Sequence, residues 1–168
     1  MLTSIVIEEL KAKLSTTNHR ALTCAYFSYK NLDRQHPSKV IAALLKQLAQ
    51  QASDIPQQIL TWQSSHERND TSPLYDEIVE NFMILARQFD RVFIILDGLD
   101  EVDAERREEI LDFVWKAKSE LQCAKLFIAS KGEPDIDKTF QPSTGAIQIP
   151  VRAANVEDDI TQYINLQP

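Results

Sequence analysis

Residues 93–101 read Phe-Ile-Ile-Leu-Asp-Gly-Leu-Asp-Glu, and this stretch limits the architecture more than any other. The apolar run over residues 91–96 (RVFIIL) is too short for a buried helix and shows no polar alternation. That pattern belongs to a strand covered on both faces, as in the interior of a parallel sheet. The strand ends in a carboxylate, Asp97, and two more follow at Asp100 and Glu101. In open parallel sheets ligands bind at the carboxyl ends of the strands, so Asp97 is expected to point into such a crevice. A carboxylate there can hold Mg²⁺, often through water, while the metal bridges nucleotide phosphates. Gly98 keeps the backbone close and unhindered. Asp100 or Glu101 is then placed to orient or deprotonate an attacking water. The plainer reading of the same residues is a strand followed by a polar turn that caps a helix.

The rest of the chain supplies the partners such a strand needs. Leu2, Ile5, Val6, Leu10 and Leu14 recur at helical spacing, and a turn cluster at residues 15–18 ends that helix. Residues 21–29 (ALTCAYFSY) are rich in strand formers. Pro37 suits a first helical turn, ahead of an apolar face at Val40, Ile41, Leu44, Leu45 and Leu48. Residues 53–70 are polar, with a short helix expected around Ile59 and Trp62. Ser72 and Pro73 form a helix start, followed by Leu74, Ile78, Phe82, Leu85 and Phe89 on one face. Asp103 can cap a helix whose apolar face is Ile110, Leu111, Val114, Trp115 and Leu121; the acids and arginines of residues 101–109 read as its solvated face. Residues 125–130 (KLFIAS) predict another strand and residues 146–149 a weaker fourth, and Asn155 can cap a last helix through Ile160 and Ile164. Strands alternating with helices at this spacing imply crossover connections. The expected fold class is α/β, with a parallel sheet of about four strands and helices on both faces.

Acidic residues outnumber basic ones, 25 to 18, for a formal charge of −7, which argues against nucleic acid as the main partner. No apolar run approaches the roughly 20 residues of a membrane helix, and the first residues lack the basic start of a signal peptide. A cytoplasmic setting is expected. Cys24 and Cys123 form no CxxC and read as two buried reduced thiols. His19, His36 and His66 have no metal-ligand spacing.

The string FIILDGLDEV resembles the Walker B segment of NACHT-type P-loop NTPases, which act as signalling switches of the STAND class; fungal members and nephrocystin-like N-terminal domains are similar to it. In that family four apolar residues precede Asp-Gly-apolar-Asp-Glu. The resemblance implies that Asp97 binds Mg²⁺, with Asp100 and Glu101 as the catalytic, water-activating pair. It also implies ATP or GTP as the ligand and slow hydrolysis, with self-association or protein partners reading out the bound state. Residues 21–30 resemble the family's second strand, and residues 126–134 (LFIASKGEP) resemble its next strand and sensor turn. In that turn Ser130 and Lys131 stand as nucleotide-binding positions. The family commonly carries Arg where this chain has Lys131, and Lys keeps the charge but not the bidentate fork.

The phosphate loop, G-x-x-G-x-G-K-[ST], precedes the helix that residues 1–10 resemble, so the chain, residues 1–168, reads as one truncated nucleotide-binding domain that begins just after that loop. Only Gly98, Gly132 and Gly145 are available, and residues 132–139 (GEPDIDKT) do not replace it, because Asp137 stands where a glycine must be and Pro134 lacks an N–H. In the family's sheet the strand before the phosphate loop lies beside the one carrying LFIAS, so its loss leaves strand edges unpaired. A truncated product, a segment of a longer protein and a natural remnant are all compatible with this pattern. Hydrolysis by the chain alone is not expected. The alternative is a non-catalytic protein-interaction module derived from the same domain.

Overall fold

The computed structural model describes residues 2–14, 19–30, 35–141 and 144–151. They fall into two compact units, Met1–Glu133 and Pro134–Pro168. The first holds α1 (Leu2–Leu14), β1 (Arg20–Tyr26), α2 (Pro37–Ala49), α3 (Gln57–Asn69), α4 (Tyr75–Ala86), β2 (Arg91–Asp97), a 3₁₀ turn (Leu99–Glu101), α5 (Ala104–Glu120) and β3 (Ala124–Ala129). The fold class is α/β: a three-stranded parallel sheet in the order β1-β2-β3, flanked by helices.

The register is continuous, from Arg20↔Arg91 to Tyr26↔Asp97 on one side of β2 and from Val92↔Ala124 to Asp97↔Ala129 on the other. β2 is thus the central strand, which explains its unbroken apolar run: Val92, Ile94 and Leu96 are fully buried. Side chains alternate between the two faces of the sheet. On one face Ile7 of α1 packs with Leu22 and Ile95, and Val6, Leu10, Cys24, Phe93 and Phe127 surround them. On the other, Thr23, Ile94 and Leu96 are buried under the stripes of α2, α4 and α5, which contribute Ile41, Leu44, Phe82, Leu85, Ile110 and Phe113. The Thr23 hydroxyl donates to the Leu44 carbonyl at 3.1 Å.

α2 begins with Pro37 as expected and buries Val40, Ile41, Leu44, Leu45 and Leu48. It also seals the outer edge of β1. Gln47 Oε1 accepts from Cys24 N–H (2.8 Å) while its Nε2 donates to Cys24 O (2.9 Å). Gln51 does the same at Leu22, at 3.0 and 2.7 Å. The spacing explains the fit, since four helical residues rise about 6 Å and two strand residues about 6.6 Å. Each side-chain amide therefore stands in for a neighbouring strand at the backbone groups of Leu22 and Cys24.

Several expectations shift. β1 ends at Tyr26 rather than Tyr29, and the helix around Ile59 is 13 residues long. α4 begins at Tyr75 instead of Pro73, because the Glu77 carboxylate reaches back to accept from Leu74 N–H at 2.8 Å and fixes the start there. Trp115 is 46% exposed, with the Lys118 ammonium 5.0 Å from its ring centroid. Phe113 takes the core position instead, because the buried stripe of α5 runs Ile110, Phe113, Val114, Ala117 and Trp115 lies about 100° beyond Val114. Cys24 and Cys123 are free thiols, half-buried rather than buried. Burial pushes both thiols up, and Lys11 at Cys24 and Arg87 at Cys123 oppose it.

The second unit contains α6 (Pro134–Thr139). Residues 146–149, expected as a fourth strand, pair with no strand among the described residues, and Ile147 and Ile149 are 89% and 79% exposed. So short a run holds extended structure only where a neighbour accepts its backbone hydrogen bonds. The turn at residues 15–18 and the helix expected after Asn155 lie outside the described residues. Among the described residues no helix is long and apolar enough to cross a membrane.

Candidate functional site at the carboxyl end of the sheet

The three parallel strands end on one rung, Tyr26↔Asp97↔Ala129, so Asp97 stands at the carboxyl end of the central strand, half-buried. Two further backbone bonds extend the sheet past it: Phe27 N–H donates to Asp97 O (2.9 Å) and Gly98 N–H to Ala129 O (2.8 Å). Gly98 then turns the chain at φ 76°, ψ 33°. A Cβ on it would lie 3.0 Å from the Phe27 carbonyl oxygen, so both the conformation and the close approach call for glycine. The 3₁₀ turn that follows is anchored by Leu99 and Val102, both buried, and closed by Glu101 N–H to Gly98 O at 2.9 Å. Asp103 caps α5 as expected, its Oδ1 accepting from Arg106 N–H at 3.1 Å.

This local geometry distributes the three acids differently. Asp100 Oδ1 accepts from Lys131 N–H at 3.0 Å, and the Lys131 ammonium lies 3.5 Å from Oδ2. Burial pushes the Asp100 carboxyl up, but the Lys131 amide and ammonium outweigh it and hold the group below its ordinary value. Glu101 Oε2 accepts from Tyr29 N–H at 3.0 Å. Asp100 is therefore tied to the turn after β3 and Glu101 to the segment after β1. The Ser130 hydroxyl donates to the Lys131 carbonyl at 2.7 Å, so of these two residues Lys131 is the one that meets Asp100.

Among the described residues no three His, Cys, Asp or Glu side chains converge as metal ligands, so the acids do not build a carboxylate cage. Mg²⁺ does not require one, since it commonly keeps several waters and takes one or two carboxylates with phosphate oxygens. Asp97 offers one carboxylate, half-buried at the end of the central strand.

Two neighbours were not legible as site residues. Tyr26 shares the last rung with Asp97 and is 59% exposed. Burial, then the neighbouring Cys24 and Asp97, push its hydroxyl up. Arg107, expected on a solvated helix face, is instead buried at 6% exposure beneath the acidic turn. Its Nη1 donates to the carbonyls of Asp100 and Val102 at 3.2 and 3.1 Å.

The stretch that carries these features, from α1 to the residue after Ser130, coincides with a match to a protein-family model. The model described as "Nephrocystin 3, N-terminal" matches residues 1–131. The chain belongs to the nephrocystin 3 N-terminal family. The match ends at Lys131, so this nephrocystin-type domain includes the whole sheet, the acidic turn and the Lys131 contact. A comparison with curated proteins found no match.

Proposed function

We propose that the chain is the metal- and water-handling half of a nucleotide-binding switch of the NACHT type, and that it depends on a phosphate loop supplied from outside residues 1–168. The observation that carries this reading is Asp97, a carboxylate ending the central parallel strand on the rung where all three strands stop. In this reading Asp97 holds Mg²⁺, which would neutralise the phosphates of a bound ATP or GTP. Asp100 and Glu101 are the candidates for orienting water, and Lys131 with Ser130 for contacting phosphate. Each acid already accepts a backbone N–H, and a carboxylate so engaged is a weak base until it lets go. Slow turnover, suited to a switch, follows from that.

The phosphate cradle is the missing part. Backbone N–H groups wrap phosphates only where glycines permit, and the chain's three glycines lie at 98, 132 and 145. Among the described residues no strand pairs with the outer side of β3, the side where the NACHT resemblance sets the phosphate-loop strand. Joining a strand and a G-x-x-G-x-G-K-[ST] loop ahead of Met1 is expected to give micromolar Mg-ATP binding by calorimetry. Asp97→Asn in that extended chain is expected to weaken it at least tenfold. Equal binding by the Asp97→Asn form would remove Asp97 from the site and sink the reading.

The engaged state of Asp100 and Glu101 also suits a second reading, an interaction module in which the acids only hold loops together. It predicts a folded chain that forms a stable oligomer and whose extended form gains no nucleotide affinity.

A further inference from the structure

Arg107 is buried while Glu108 and Glu109 beside it are exposed. A guanidinium so deep in the protein is costly unless its donors are satisfied. It lies near the N-terminus of α5, where the helix dipole disfavours a cation, so its burial does not serve the helix. Its donors point back to the acidic turn, to Asp100 O and Val102 O, while Nη2 lies 3.8 Å from Glu133 Oε2. Glu133 sits two residues past Lys131, whose N–H and ammonium meet the Asp100 carboxylate.

We propose that Arg107 is the positioning residue of the acidic turn: it braces the Asp100 and Val102 carbonyls against Glu133, and so holds the Asp100 carboxylate on the turn after β3. Without the guanidinium, two carbonyls of the turn lose these donors. The backbone bonds within the turn, Glu101 N–H to Gly98 O and Val102 N–H to Leu99 O (3.3 Å), use the carbonyls of Gly98 and Leu99 rather than those of Asp100 and Val102. The Asp100 carboxylate then no longer stays on the Lys131 amide. This role stands apart from the nucleotide reading, and its test uses no nucleotide.

The test is amide hydrogen exchange, followed by NMR on the whole chain, for wild type, Arg107→Gln and Arg107→Lys. A merely structural arginine would lower protection at Lys131 only as far as it lowers protection at Ile94 and Ile95 in the central strand. In Arg107→Gln, protection at the Lys131 amide is expected to fall at least tenfold further than at those two residues. Arg107→Lys keeps the charge but not the fork, and is expected to show a smaller selective loss. Should Arg107→Gln not fold, Arg107→Lys decides alone, with selective loss at Lys131 supporting the role. Protection at Lys131 that stays at the wild-type level, or falls only in step with Ile94 and Ile95, would overturn it.

Discussion

Phe82→Ala is expected to cost about 3–5 kcal/mol of unfolding free energy. Phe82 has no exposed surface and meets Phe113 edge-to-face, with centroids 5.0 Å apart and planes at 81°. That pair joins α4 to α5 in the layer packed against the buried face of the sheet. Truncation removes the ring's transfer free energy, leaves a cavity that close-packed neighbours fill only partly, and breaks an aromatic pair worth about 0.5–1.5 kcal/mol on its own. A domain of this kind has roughly 5–15 kcal/mol in total, so the variant should be marginal or unfolded at 37 °C. The check is the urea midpoint at unchanged slope. A loss under about 1 kcal/mol would mean that α4 and α5 are not closely packed.

Gly98→Ala is expected to be the most damaging small change at the acidic turn, at about 2–4 kcal/mol. The left-handed backbone alone costs an L-residue roughly 1–3 kcal/mol. The added Cβ would also press on the Phe27 carbonyl at 3.0 Å. That carbonyl cannot retreat freely, because Phe27 N–H is bonded to Asp97 O. The strain should emerge in the turn, loosening the Glu101 bond to Tyr29 N–H and the Asp100 bond to Lys131 N–H. Exchange at those two amides should therefore accelerate beyond the global effect. Gly98→Asn separates the two causes, since asparagine tolerates the left-handed region but brings the same Cβ. It should lie between wild type and alanine, and an alanine variant as stable as wild type would remove both arguments.

The parts of this structure that were legible in the sequence are those set by local chemistry. A short run without polar alternation can only be covered on both faces, and β2 is. Pro37 and Asp103 act within one helical turn of themselves, and both begin helices as expected. What stayed hidden depends on partners distant in the chain. Nothing near Arg107 distinguishes it from Arg106; only the fold brings two carbonyls and Glu133 around its guanidinium. Gln47 and Gln51 did leave a signal, two amides four residues apart beside a leucine face, but their target, the edge of β1, exists only once the sheet is built. Residues 146–149 misled for the same reason, because Ile147 and Ile149 alternate like a strand but find no strand partner among the described residues. The placement of Asp97 at the end of a buried strand, with Asp100 and Glu101 in the turn after it, could be read from the sequence, whereas the engagement of the last two with Lys131 and Tyr29 could not, since it requires the turns after β1 and β3 to meet the turn after β2.

In the reading we propose, the chain carries the acidic half of a nucleotide site and takes its phosphate loop from outside residues 1–168. Calorimetric titration of Mg-ATP into the purified chain, with circular dichroism showing it folded, tests that claim most directly. No saturable heat is expected at millimolar nucleotide. Saturable binding in the micromolar range, abolished by Asp97→Asn, would contradict the reading by showing that a nucleotide site survives here without a glycine-rich loop.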